Sequence, residues 1–280
     1  MKRQSTNPKQ TKTFASEMSF WGHLEELRGT IVRSVAAILI FSIVAFLNRT
    51  VIFDHFILAP KDSDFITNRL LCSLGKLLSL EVLCLDNLSL QLINIQMSGQ
   101  FMMHLYVSMA AGFVVAFPFV VYQFWRFILP ALKPNERRYS RKAVAAISIL
   151  FFLGVSFSYF IIVPLTINFL GTYQVSEAVA NQIALNSYIS TVISVVLGVG
   201  VVFELPVVVF FLARLGLVTP GFMRRNRKYM IIIIFTVSAI ITPPDVFSQI
   251  LVSIPLLALY EISISIAKRV NPDPVAETIL

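Results

Sequence analysis

Three glutamates are conspicuous for where they fall. Glu26 lies just ahead of a long apolar run, Glu136 sits alone among cations, and Glu204 is inside another apolar run. Glu26 belongs to Ser19-Phe-Trp-Gly-His-Leu-Glu-Glu-Leu-Arg28, in which Phe20, Leu24, Leu27 and Ile31 recur at helical spacing. That spacing predicts an amphipathic helix running into the apolar segment, with Ser19 available to cap it. His23, Glu26 and Gly29 share another of its faces. Two readings of this face stand open: an interfacial anchor with solvated charges, or a fixed carboxylate that receives a cationic ligand.

Glu136 is the only acid in a loop with Lys133, Arg137, Arg138, Arg141 and Lys142. It can pair with Arg137 or Arg138, or serve an incoming group. Glu204, in Phe203-Glu-Leu-Pro206, is harder to dismiss. An ionised, unsupported carboxylate at membrane depth costs at least about 2.5–3.5 kcal/mol. It must be protonated, paired, or turned toward a polar groove, as structural glue or as a functional site. Pro206 also frees the carbonyl of Val202 one turn earlier. In Thr242-Pro-Pro-Asp245-Val-Phe-Ser-Gln249, Asp245 can cap the following helix, and the Gln249 amide is better met by another helix than by lipid. Partner contact and internal bracing are equal readings of that segment.

Other chemistries find little footing. His23, His55 and His104 are scattered and no H-E-x-x-H occurs, so no metal site is expected. The Glu25-Glu26 pair has no intramembrane histidine beside it, which argues against a membrane metalloprotease. No Gly-rich phosphate loop is present, and no cofactor is expected. Arg137-Arg138 and Arg224-Arg225 lie between apolar spans and so are not export signals. Cys72 and Cys84, twelve apart, are open to two readings: a disulfide, or two buried thiols.

The elements that must hold these groups are membrane helices. Of 280 residues, 56% are hydrophobic and 14% charged, with 24 phenylalanines, and the mean hydropathy is +0.78. Soluble domains carry about 25% charged residues, so this excess of apolar surface cannot be hidden in a soluble globule. A helix crossing a bilayer needs about 20 apolar residues. The runs are Thr30 to Leu47, Phe101 to Leu129, Ala143 to Val163, Tyr188 to Leu215, and two shorter ones, Tyr229 to Thr242 and Val246 to Ala267. That predicts six spans. The first is too long for a signal-peptide core and has no small-residue cleavage pattern after it, so it reads as an uncleaved span.

Lysine and arginine alternate across these spans. The tail through Gly29 has five, 130–142 five, 216–228 four and the end after Ile266 two. On the other side, 48–103 has four alongside five acids, and 166–187 and 243–245 have none. The net charge of +8 therefore reads as topology, with both termini cytoplasmic, and not as nucleic-acid binding. The fifth span is short and its turn, Pro243-Pro-Asp245, cannot rise far, so the last hairpin should stop below the outer surface or thin the bilayer. Prolines 118, 164, 206 and 255 should kink or end their helices, which predicts an all-α, bent, cup-shaped bundle. In the outer segment, Ser63 to Leu80 has helical spacing and Leu90 to Met97 is closer to extended.

In this order around six spans, His-Leu-Glu-Glu-Leu-Arg, Pro-Ala-Leu-Lys-Pro-Asn-Glu-Arg-Arg, Phe-Glu-Leu-Pro and Thr-Pro-Pro-Asp-Val-Phe-Ser-Gln resemble the TatC family, the polytopic receptors of twin-arginine protein translocases. The resemblance covers about residues 19–270. It implies a cytoplasmic tail at 1–18, a six-helix membrane domain at 19–270 with an outer cap at 48–100, and a cytoplasmic tail at 271–280. It implies further that Glu26 and Glu136 receive the two arginines of a signal peptide, with Arg28 positioning Glu26 and Phe127, Leu132 and Arg137 adjoining. A planar guanidinium can bond a carboxylate through two parallel N–H groups, which lysine cannot reproduce. Glu204 becomes the polar group of the concave membrane face, Thr242, Asp245 and Gln249 the docking region for single-span TatA and TatB partners, and Pro60 a proline of the outer cap. A bacterial cytoplasmic (inner) membrane location, further copies of the chain as partners, the proton-motive force as driver and no enzymatic activity belong to the same implication. The outer segment is longer than the family pattern and holds both cysteines, so no residue between 61 and 98 is carried over; Arg126 adds a charge at the exit of the second span. Two rivals stand beside this reading: a proton-coupled secondary transporter with Glu204 as proton site, and an intramembrane hydrolase. The two halves of the chain show no similarity of the kind many transporters have.

Overall fold

A computed structural model describes residues 20–62, 64–78, 91–129, 140–176, 181–243 and 245–271. The chain is a multi-pass helical membrane protein. Helix α1 (Phe20–Leu47) joins the amphipathic entry and the first span without interruption. After a wide turn at Val51–Ile57 come α2 (Ile66–Leu78), β1 (Leu92–Ile93) and α3 (Gly99–Ile128). Next are α4 (Ser140–Phe157), a wide turn at Ser158–Ile162, α5 (Val163–Thr172) and β2 (Ile183–Ala184). The chain ends with α6 (Leu185–Val202), α7 (Leu205–Arg214), α8 (Pro220–Arg225), α9 (Arg227–Ile241) and α10 (Val246–Val270). Among the described residues, five helical stretches are long and apolar enough to cross a membrane: Trp21–Leu47, Gly99–Ile128, Ala143–Thr172, Leu185–Arg214 and Val246–Val270. The remaining candidate, α9, is helical over 15 residues, which is about 22 Å at 1.5 Å per residue.

Close helix crossings are made at small residues. A Cβ on Gly112 of α3 would lie 2.2 Å from Ser42 Oγ and 2.6 Å from Ser42 N of α1. A Cβ on Gly154 of α4 would lie 2.7 Å from Phe203 Cβ and 3.0 Å from Gly200 Cα. One on Gly198 of α6 would meet Ile241 of α9 at 2.7 Å. Helices in lipid gain by dispersion contact rather than by hydrophobic burial, and small residues let their backbones approach.

The prolines act unequally. Helix continues through Pro118 and Pro255. Pro206 divides α6 from α7, and Pro164 follows a turn closed by Val163 N–H donating to Ser158 O. A proline leaves the carbonyl four residues earlier without its donor. For Pro164 that carbonyl is Phe160 O, and the hydroxyl of Thr67 in α2 donates to it. For Pro60 it is Phe56 O, and Tyr159 Oη donates to it at 2.8 Å. These freed carbonyls thus fasten the segment after α1 to the α4–α5 stretch. Tyr188 Oη donates to Ile57 O at 2.8 Å, Asn168 Nδ2 to Asn68 Oδ1 at 3.0 Å, and Asn68 Nδ2 to Asp62 O at 2.9 Å. Strand β1 pairs in parallel with β2, Leu92 opposite Ile183. Pro60 is fully buried in this knot. Cys72 is disulfide-bonded, and Cys84 lies outside the described residues.

Candidate functional site

Helices α1 and α3 run antiparallel, pinned at both ends and in the middle. At one end His23 stacks on Phe127, ring centroids 4.3 Å apart. At the other, His104 stacks on Phe46 at 4.0 Å and shares a 3.1 Å hydrogen bond with Phe46 O, one of the carbonyls that a helix C-terminus leaves without a partner. The Ser42–Gly112 crossing lies between. This pairing brings Glu26 and Phe127, far apart in sequence, into one corner.

In that corner Glu26 is half-buried. Its Oε2 is fully buried and has no hydrogen-bond partner among the described residues. A carboxylate oxygen so placed lacks the compensation that burial demands, and a donor delivered from outside would meet it. One turn deeper, Arg33 Nη1 donates to Gln123 Oε1 at 3.4 Å, and Gln123 is only 6% exposed. Arg28 does not reach Glu26: its one ion pair among the described residues is with Glu25, at 3.9 Å and exposed on both sides. Leu132, Glu136 and Arg137 lie outside the described residues. His23 was on the Glu26 face by spacing, but its stack on Phe127 was not visible, and neither was the Arg33–Gln123 bond. Arg33 carried a signal all the same, as a charge inside an apolar run.

Glu204 occupies the break between α6 and α7. Its N–H bonds back to Val201 O at 3.1 Å, and its carbonyl accepts from Val207 and Val208. Both carboxylate oxygens are buried and unpartnered among the described residues. The Phe151 backbone faces the carboxyl group without a hydrogen bond of acceptable geometry. Phe151 itself is stacked on Phe117 at 3.6 Å, and Phe203 and Phe157 lie 5.7 Å apart. Aromatic pairs thus lie close along the chain and on the facing helix, and neither carboxylate oxygen has a hydrogen-bond partner among the described residues.

In the last hairpin, Asp245 Oδ1 accepts from Ser248 N at 2.6 Å and caps α10, as its spacing predicted. Gln249 Nε2 donates to Phe235 O of α9 at 2.9 Å, and Ser253 Oγ donates to Gln249 O and contacts Ser238 Oγ. Thr242 Oγ1 donates to Ser238 O at 2.8 Å. The Gln249 amide thus braces α9 against α10. At the other end of the hairpin Arg227 pairs with Glu261 at 2.8 Å, and Tyr260 Oη donates to Met223 O.

Comparison with known proteins agrees with this arrangement. The family model described as Sec-independent protein translocase protein (TatC) matches residues 22–255. A Sec-independent protein translocase protein TatC of Blattabacterium sp. subsp. Periplaneta americana is 39% identical over 262 residues, 93% of this chain and 98% of that one. That of Carboxydothermus hydrogenoformans is 35% identical, covering 91% and 95%. A crystal structure described as the twin arginine translocase receptor TatC superposes with a TM-score of 0.70 at 35% identity, over 89% of this chain and 99% of that one. A second, in DDM, gives 0.71.

Proposed function

The chain belongs to the TatC family of Sec-independent protein translocase proteins, and on that premise we propose that it is the core receptor subunit of a twin-arginine translocase. It recognises twin-arginine signal peptides at the end of the bundle where His23 meets Phe127. It organises single-span TatA- and TatB-type subunits, and further copies of itself, for the passage of folded proteins. The observation that carries the reading is the buried Oε2 of Glu26, without a hydrogen-bond partner among the described residues, at the end of α1 where His23 stacks on Phe127. A guanidinium brings two parallel donors and its own charge to such a carboxylate. Glu136 is the second carboxylate of the site in this reading. The chain serves as a scaffold and receptor, not an enzyme.

In the same reading six helices span a bacterial inner membrane and both termini are cytoplasmic. The short α9 makes the fifth crossing and α10 the sixth. Lysine and arginine concentrate on the side that carries Glu26, in keeping with a cytoplasmic face. Glu204 serves the concave membrane face, where a polar group of a partner helix meets it. That neither carboxylate oxygen has a hydrogen-bond partner among the described residues supports this role over that of a transporter's proton site, which needs polar side chains converging from several helices.

The test is direct binding of a twin-arginine peptide to the purified protein in detergent. Glu26→Ala removes one charge-assisted bond, worth about 1.5–3 kcal/mol, so affinity falls on the order of tenfold to a hundredfold. Glu26→Asp is intermediate, because the charge stays and the reach does not. Full affinity in Glu26→Ala and Glu136→Ala alike would return the segment to the role of an interfacial anchor.

A further inference from the structure

We propose that Arg33 is a specificity-determining residue of the peptide site: a resident guanidinium, seated in a notch at Gly29, whose like charge an incoming peptide cation must overcome to reach Glu26. The proposal rests on the reading of Glu26 as the receptor carboxylate.

Three features place the charge there. Residues 26, 29 and 33 form one stripe of α1, and long side chains on a helix turn back toward its N-terminus. Gly29 leaves that path open: Arg33 Nη2 lies 3.2 Å from where a Cβ on Gly29 would stand. Gln123, buried on α3, holds Nη1 from the side through a hydrogen bond of 3.4 Å, long enough to be given up readily. The guanidinium therefore rests about one turn, roughly 5 Å along the axis, below Glu26. It makes no ion pair with Glu26 within 4.0 Å, and the buried Oε2 stays unpartnered among the described residues.

This geometry does two things to an arriving peptide. Arg33 already shares the field of Glu26, so part of the attraction available to a newcomer is offset by repulsion between like charges. A half-buried site screens that repulsion less than open water does. Arg33 also closes the membrane side of the carboxylate, so the ligand must approach from the aqueous end. An arginine spreads its charge over a planar fork, which softens that repulsion, and bonds the carboxylate through two parallel N–H groups. A lysine concentrates its charge on one nitrogen, so the repulsion weighs more on it. Arg33 thereby raises the threshold for all cations and widens the gap between arginine and lysine.

Binding is measured on the full-length protein in detergent with two synthetic signal peptides, one carrying two arginines and one with both replaced by lysine. Arg33→Gln is expected to tighten the arginine peptide on the order of fivefold and the lysine peptide by more, narrowing the ratio between them. Arg33→Lys keeps the charge and preserves most of the ratio. Gly29→Ala, whose methyl would push the guanidinium back by a few tenths of an ångström, shifts affinity in the same direction as Arg33→Gln and by less. In a Glu26→Ala background the gain from Arg33→Gln shrinks, because no carboxylate draws the cation down beside it. Unchanged or weaker binding in Arg33→Gln overturns the proposal, and so does a gain that is undiminished without Glu26; unchanged binding points to a lipid-headgroup contact instead. A normal Glu26→Ala loss with no Arg33→Gln gain refutes only the role of Arg33, whereas no Glu26→Ala loss refutes the receptor reading beneath it.

Discussion

Gly112→Ala should pry α1 from α3. An added methyl would stand 2.2 Å from Ser42 Oγ, 2.6 Å from Ser42 N and 2.8 Å from Ser42 Cα. Ordinary carbon contacts lie near 3.5–4.0 Å, so the two helices must separate by about 1 Å. Rotating the serine hydroxyl away relieves only the first clash, because the other two involve backbone. Overpacking of this kind costs about 1–3 kcal/mol. The same displacement carries His23 away from Phe127 and disturbs the Glu26 corner at the far end of the helix. The assay is thermal unfolding in detergent together with twin-arginine peptide binding. We expect a lower midpoint and weaker binding in the same variant. Ser42→Ala alone should be neutral or stabilising, since Ser42 Oγ is buried without a hydrogen-bond partner among the described residues. Combined with Gly112→Ala it should restore only part of the loss. Wild-type stability in Gly112→Ala would show that the crossing is looser than described, and an unperturbed peptide affinity in a destabilised variant would break the link from crossing to site.

Asp245→Ala removes the cap on α10 and should cost about 0.5–2 kcal/mol in unfolding experiments, while Asp245→Ser, which keeps an acceptor, should recover most of it. Glu204→Gln should impair co-purification with single-span partners less than Glu204→Ala, and both should leave peptide binding near wild type; abolished peptide binding in Glu204→Ala would point to a substrate path through the bundle. Single cysteines placed in 166–187, in a background with Cys72 and Cys84 replaced, should be labelled from outside the cell by an impermeant reagent, and those in 133–142 should not; the reverse pattern sinks the orientation.

What the sequence revealed was whatever depends on one helix at a time. Apolar runs marked the spans because a bilayer sets their length. Pro206 marked a break because a missing N–H acts on its own helix. Asp245 marked a cap because the N–H it bonds is three residues away. Gln249 was correctly expected to seek another helix, but the choice between α9 and an external partner depended on where Phe235 O would stand. The His23–Phe127 stack and the Ser42–Gly112 crossing need the antiparallel register of α1 and α3, which no local pattern contains. Arg28 was placed on Glu26 by resemblance, yet three residues along a helix brings it instead toward Glu25, a pair exposed to solvent and worth little. In the outer segment, Ser63 to Leu80 was legible as helix, and α2 covers Ile66–Leu78. The fastening of proline-freed carbonyls by Thr67 and Tyr159 was not, because donor and acceptor lie about a hundred positions apart.

That distance bears on the order in which the molecule comes into being. The cap segment follows α1 and emerges from the ribosome before α4, α5 and α6 exist. Yet its ties are to those later helices: Asn68 to Asn168 across 100 positions, Tyr159 to Phe56 across 103, and Tyr188 to Ile57 across 131. Chains grow at about 5–20 residues per second, so the segment waits several seconds for its partners. Throughout that time Phe56 O, the carbonyl freed by Pro60, has only water or lipid headgroups to satisfy it. Closure of this end of the bundle is thus a late event in biogenesis, and substitutions at Tyr159, Asn168 or Tyr188 should appear first as nascent protein lost to proteolysis rather than as finished protein that works poorly.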